Sequence, residues 1–174
     1  MHEIPLDRTI RLFGDINSEN VQKVEEKIHE LLEKDPNEWV NLVITSLGGD
    51  TVLGFGLYDV LKRVRNLQTT AVGEVTSIAI LVFMAGKRRI AMKNIRMFFH
   101  ETQLHVAADT SFSLSGLKRR ALQMEKDHEL YERIIAENTN GRSTQDLIAD
   151  ICHKEVTLGI DKLLDWGIVH SVLE

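Results

Sequence analysis

The sequence contains a single cysteine, Cys152, so no internal disulfide can form and nothing argues for an oxidising compartment. Only two prolines and 11 glycines occur in 174 residues, which excludes collagen-like and Pro/Gly-rich disordered chains. Basic residues do not dominate either. Lys and Arg number 21 against 26 Asp and Glu, a net charge of −5, so no basic field favours nucleic acid. No apolar stretch approaches the ~18 residues that a membrane span needs, and no membrane partner is expected. The start, Met1-His2-Glu3-Ile4-Pro5-Leu6-Asp7-Arg8, has neither a basic n-region nor an apolar h-region, so a secretory signal peptide is not expected. Repeats, low-complexity tracts and linkers are also missing. With 43% hydrophobic and 27% charged residues, the chain reads as one soluble domain over residues 1–174, expected in the cytoplasm.

What the sequence does have is an alternation of short apolar strands and amphipathic helices. Thr9–Phe13 alternates and stops at Gly14. From Ser18, read as the N-cap, Val21, Val24, Ile28, Leu31 and Leu32 recur at helical spacing to about Lys34. Trp39–Thr45 reads as a strand cut off by Gly48-Gly49, and a helix follows through Leu53, Leu57, Val60, Leu61 and Val64. Gln68–Gly73 reads as another strand. The run Ile78–Ala85 has no polar face, which predicts a helix buried on all sides. Arg89–Met92 and Arg96–Phe99 read as short strands. Helices are then expected at about 114–138, 143–153 and 158–165, with a last strand at 168–172. This order predicts an α/β fold with a mostly parallel sheet and crossover helices.

Three features bear on chemistry. Ser46-Leu47-Gly48-Gly49 lies where a strand ends and a helix begins, and paired glycines there can turn N–H groups toward an anion or oxyanion. A plain strand-to-helix turn explains the same residues. Gly73-Glu74-Val75-Thr76-Ser77 precedes the buried helix. A serine at that point is either an N-cap or a nucleophile beside a helix N-terminus. His100 ends the apolar strand Met97-Phe98-Phe99, where α/β proteins place their sites. No HExxH motif and no Cys/His pair of ligand spacing occur, so neither metal nor cofactor is expected, and the neighbours Cys152 and His153 read as structural.

Taken in order and spacing, these segments resemble the proteolytic subunit of the Clp protease (ClpP), within the ClpP/crotonase fold of β-β-α units. The likeness runs from about Arg8 to Leu173. It rests on Ile10–Gly14, Leu42–Thr51, Gly56–Leu61, Gly73–Ala79 leading to Met84-Ala85-Gly86, Asn94–His100 and Asp165–Val172. The resemblance implies Ser77 as nucleophile and His100 as general base. It implies oxyanion-hole N–H groups on Gly49 and Ile78. Glu155 falls where the family has its aspartate. Such a triad needs the imidazole to take the hydroxyl proton and a carboxylate to orient the ring. The extra methylene of glutamate moves that carboxylate by more than about 1 Å.

The resemblance further implies a homo-oligomer built on a heptameric ring, with stacking of rings less firmly implied. It also brings departures. The N-terminal segment that forms axial loops in the family is expected to be missing. Asn41 and Arg63 occupy positions of the apolar pocket for a Clp-type ATPase, so tight binding of that partner is not expected. Glu101-Thr102-Gln103-Leu104-His105 replaces the Pro and Gly-Gly segment that aligns substrate as an added strand. The stretch from His100 to Glu155 is longer than in the family. The function expected is peptide-bond hydrolysis through an acyl-enzyme. Two alternatives remain open: a crotonase-type enzyme acting on coenzyme A thioesters, and a catalytically inactive ring subunit.

Overall fold

A computed structural model describes residues 4–104, 106 and 111–174. After a 3-10 turn at Leu6–Arg8, the elements are β1 (Thr9–Phe13), α1 (Ser18–Lys34), β2 (Val40–Ser46), α2 (Thr51–Lys62), β3 (Leu67–Thr76), α3 (Ile78–Met84) and β4 (Arg88–Met92). There follow β5 (Arg96–Phe98), α4 (Leu114–Glu137), α5 (Gln145–His153), β6 (Thr157–Leu158), α6 (Ile160–Asp165) and β7 (Ser171–Leu173). The main sheet has the order β1-β2-β3-β4-β7, and every neighbouring pair in it is parallel. β5 extends the sheet by pairing in parallel with the far end of β3, and β6 returns antiparallel to β5. This is the mixed α/β architecture, mostly parallel with flanking helices, that the order of elements implies.

Local pattern explains the layers. In β2, Val40, Leu42, Ile44 and Ser46 point inward while the residues between them are half-buried, as period-2 alternation requires. α1 buries Val21, Val24, Ile28 and Leu31, one stripe at helical spacing. All seven residues of α3 are buried, so this helix runs through the core, as its lack of a polar face predicts. Each such Val, Leu or Ile contributes about 1.5–3 kcal/mol by leaving water. A buried arginine fixes the far end of α4. The Arg89 guanidinium donates to the carbonyls of Gly86, Asn138, Gly167 and Ile168.

Several boundaries differ from expectation. Asn17, not Ser18, caps α1, its side chain accepting from the Asn20 N–H. β3 does not stop at Gly73 but continues to Thr76. Gly73 takes φ 69°, and the pairing slips from Ile44↔Ala71 to Ser46↔Val75, so the glycine is an irregularity within the strand rather than its end. The last strand loses Ile168 and Val169 because both their N–H groups turn back to the Leu163 carbonyl after Gly167, at φ 70°, closes α6. Among the described residues no helix is long and apolar enough to cross a membrane.

Candidate active site

The site is assembled where β2 and β3 end side by side. Beyond Ser46 the chain passes through Gly48 at φ 103° and Gly49 at φ 144°. Here the glycines are required by space as well as by angle. A Cβ on Gly48 would stand 2.8 Å from Ser77 Cβ, and one on Gly49 would stand 2.5 Å from the Ile16 carbonyl oxygen. The Ile16 N–H donates to the Gly48 carbonyl at 2.7 Å, and the Asp50 N–H donates to the Ile16 carbonyl at 2.8 Å. This loop is therefore clamped between the β1–α1 connection and Ser77. Asp50 then caps α2 by accepting from the Leu53 N–H.

Ser77 stands before α3 with φ 56° and ψ −134°, and its hydroxyl makes no cap hydrogen bond. The N-cap reading of this serine therefore fails. A left-handed φ on a residue with a Cβ costs about 1–3 kcal/mol, and surrounding contacts must hold it. Two do so directly. The Ser77 N–H donates to the Phe98 carbonyl at 3.2 Å, and the Ser77 carbonyl accepts from the buried Tyr131 hydroxyl at 3.1 Å. Tyr131 has its own hydroxyl proton held more tightly than usual, because burial penalises the phenolate.

Ser77, Ile78, Gly49 and His100 line one cavity of about 260 Å³. As the first residue of α3, Ile78 has no intrahelical acceptor for its N–H. His100 is half-buried, its ring stacked on Phe98 with centroids 5.4 Å apart. Its Nδ1 lies 2.6 Å from the Glu101 carbonyl oxygen. No hydrogen bond links its ring to the Ser77 hydroxyl. Thr102 and Gln103, from the segment expected to replace the substrate-aligning strand, line the cavity too, while sequence reasoning missed His128 and Tyr131. The i, i+4 spacing of His128 and Glu132 on one helix, with Tyr131 between them, was the available signal.

Glu155 is placed differently from these. It is exposed, has φ 53°, and no side-chain hydrogen bond joins it to His100. The residue that follows it is nonetheless tied to the residue before His100. The β5–β6 ladder pairs Phe98 with Thr157, and the Phe99 N–H donates to the Val156 carbonyl at 2.9 Å. Nearby, His153 Nδ1 meets the Glu101 carboxylate at 2.9 Å on the surface. That contact raises the His153 pKa and lowers that of Glu101. Cys152 is buried, and desolvation pushes its thiol up to about 12, which makes it inert. Among the described residues no cluster of His, Cys, Asp or Glu is arranged to hold a metal. His105, in the replaced peptide-binding segment, lies outside the described residues, as do 107–110.

The Clp protease family profile matches residues 1–174. The chain belongs to the Clp protease family. Among curated relatives, the ATP-dependent Clp protease proteolytic subunit 1 of Mycolicibacterium paratuberculosis is 29% identical over 143 residues. That match covers 80% of this chain and 66% of the relative. The proteolytic subunit 2 of Mycobacterium tuberculosis (strain ATCC 25618 / H37Rv) is 28% identical, with 80% and 65% covered. The matched part of the chain thus spans just under two thirds of these relatives' length. A solved ClpP1 mutant from Listeria monocytogenes superposes with a TM-score of 0.84 at 23% identity, covering 97% of this chain and 92% of that one. The fold is therefore that of ClpP.

Proposed function

We propose that this Clp protease family member is a serine endopeptidase that hydrolyses peptide bonds through an acyl-enzyme on Ser77. The observation that carries the reading is the strained Ser77 sharing one cavity with His100 and with the backbone of Gly49 and Ile78. His100 takes the Ser77 proton as Oγ attacks the scissile carbonyl carbon. The N–H groups of Gly49 and Ile78 receive the developing oxyanion. His100 then gives its proton to the leaving amine. Water attacks the acyl-enzyme, with His100 as base, and restores Ser77. Glu155 is the carboxylate proposed behind His100, which requires Nδ1 to exchange the Glu101 carbonyl for the glutamate side chain. A crotonase-type role is not favoured, since that chemistry has no use for a serine held in this strained turn beside an imidazole.

We place this activity in a homo-oligomeric ring, most simply a heptamer. α1 uses its apolar stripe within the subunit. By contrast, α4 leaves Leu114, Leu117 and Leu122 exposed, a face suited to a second copy. Asn41 is half-buried and accepts from Gln68 and Thr70 side chains, and Arg63 is exposed. This polar surface supports the expectation that a Clp-type ATPase does not bind tightly at the family's usual apolar pocket.

A serine-directed fluorophosphonate tests the reading. It should label the wild-type protein and not Ser77→Ala, and peptide hydrolysis should fall about 10⁴–10⁶-fold in that variant. Hydrolysis near wild type in Ser77→Ala removes Ser77 from the mechanism. Absence of labelling in the wild type returns the inactive-subunit reading.

A further inference from the structure

The substrate cavity contains a second histidine–carboxylate couple that the proposed mechanism does not use. His128, on α4, lines the cavity, and its Nε2 lies 3.1 Å from Oε1 of Glu132, one helical turn on. The Glu132 side chain is only 9% exposed and that of His128 18%. A carboxylate removed from water this far needs a donor, and among the described residues the imidazole is the partner it has. On the other side of the ring, His128 Nδ1 faces the Thr102 hydroxyl at 3.4 Å, and Thr102 lines the same cavity. Tyr131 stacks on His128, ring planes 10° apart, and ties this part of α4 to the Ser77 carbonyl. Position and orientation of the couple are thus set by the element that braces the nucleophile.

The direction of the chain Glu132–His128–Thr102 follows from its first member. A carboxylate accepts, so we assign the ring proton to Nε2, the nitrogen that faces Oε1 of Glu132 at 3.1 Å. In the neutral ring Nδ1 is then an acceptor, and the Thr102 hydroxyl proton turns toward it. The lone pairs of Thr102, and any part of Nδ1 it leaves open, are what the cavity receives. Among the described residues no Lys or Arg lines the cavity to offset this.

We propose that His128, held by Glu132, is a specificity-determining residue that makes the pocket beside Ser77 select an uncharged side chain able to donate a hydrogen bond, such as a glutamine amide. The proposal rests on the serine peptidase reading. An apolar side chain in this pocket would bury the acceptors without a partner, and a carboxylate would meet lone pairs and the field of Glu132. Sites built to pair a polar group reject its apolar analogue strongly for this reason.

Three fluorogenic peptides that differ only in the residue before the scissile bond (glutamine, methionine or glutamate) test it, at mildly alkaline pH. Methionine is close to glutamine in length, so the comparison isolates hydrogen bonding from size. The wild type should show a higher kcat/KM for glutamine than for methionine or glutamate. His128→Phe should lower the glutamine-to-methionine ratio about tenfold or more. Glu132→Gln is nearly isosteric. Its amide can donate to Nε2 and let the ring carry its proton on Nδ1, so the ratio should fall there too while the glutamate peptide gains. A ratio unchanged in both variants, an equal fall for all three peptides, or a wild-type preference for methionine would overturn the proposal. Fluorophosphonate labelling of the wild type separates these results from failure of the peptidase reading itself. If labelling is present and the ratios do not respond, only the specificity claim is lost.

Discussion

The two sides of the candidate site are built in different ways. On one side, Ser77, the proposed nucleophile, sits between the buried end of β3 and the wholly buried α3, and Phe98 and Tyr131 hold both its peptide groups. Gly48 packs against its Cβ, leaving no room for adjustment. On the other side, His100 is half-buried, its Nδ1 rests on a neighbouring carbonyl, and Glu155, the carboxylate proposed to orient it, is exposed. The first side is fixed by the core, so moving it means disturbing close-packed structure. The second is held by contacts at the rim, each worth little on its own. Strain can be stored at Ser77 because the core surrounds it. The rim can instead be rearranged at small cost.

The largest effect that can test this contrast is expected on the rim. If Glu155 turns in to orient His100 during turnover, Glu155→Gln should lower kcat by about 10³–10⁴-fold, because the ring loses both tautomer control and the charge behind it. Thermal stability should not change, since the side chain is exposed. Glu155→Asp should retain more activity than Glu155→Gln. Full activity in Glu155→Gln would show that the Glu101 carbonyl alone orients the base. On the core side, Gly48→Ala should cost about 10²-fold in kcat/KM, because its Cβ displaces Ser77 by a fraction of an ångström to an ångström. It should also destabilise the protein by about 2 kcal/mol, or roughly 5 °C in Tm, through the φ of 103°. Loss of activity coupled to loss of stability marks the core side, and loss of activity alone marks the rim. Calorimetry beside steady-state kinetics on the two variants distinguishes them, and a Gly48→Ala protein with wild-type Tm would contradict the packing argument.

The sequence was legible where a short-range pattern decides the outcome. The strand-like run Trp39–Thr45, the stripe in α1 and the unbroken apolar run of α3 all describe one element's own burial, and each formed within a residue of its expected bounds. It was misleading where distant contacts decide. Gly73 reads as a strand terminator in isolation, yet pairing with β5 carries the strand three residues further. Ser77 looks locally like a cap. Phe98 and Tyr131, 21 and 54 positions away, are what hold it in a conformation in which it caps nothing. Resemblance to a family drew attention to Ser77, His100, Gly49 and Ile78, and these do line one cavity. His128 and Glu132 had no such precedent. An i, i+4 His–Glu pair on a helix is common on surfaces, and the packing of α4 against α3 and α5 turns this one inward.

The smallest effect concerns how the rim is tied down. Glu101 supplies the carbonyl near His100, and its side chain is joined to His153 at the end of α5. The His153 pKa is raised, chiefly by its hydrogen bond with Glu101, and the Glu101 pKa is lowered by the same bond. The two signs define a window. On the acid side the tie is lost as pH falls through the lowered carboxyl pKa. On the alkaline side it is complete below the ordinary imidazole value near 6.5 and is lost as pH rises through the raised one. Within that window His153→Gln should change kcat/KM by no more than about two- to threefold, because the pair is solvent-exposed and screened. Above it, the variant and the wild type should coincide. About 0.5 M salt should erase the difference inside the window as well, since the Debye length then falls to a few ångströms. Parallel pH profiles at low and high salt measure this. Curves that coincide at every pH at low salt would mean that the Glu101–His153 contact does not steady His100.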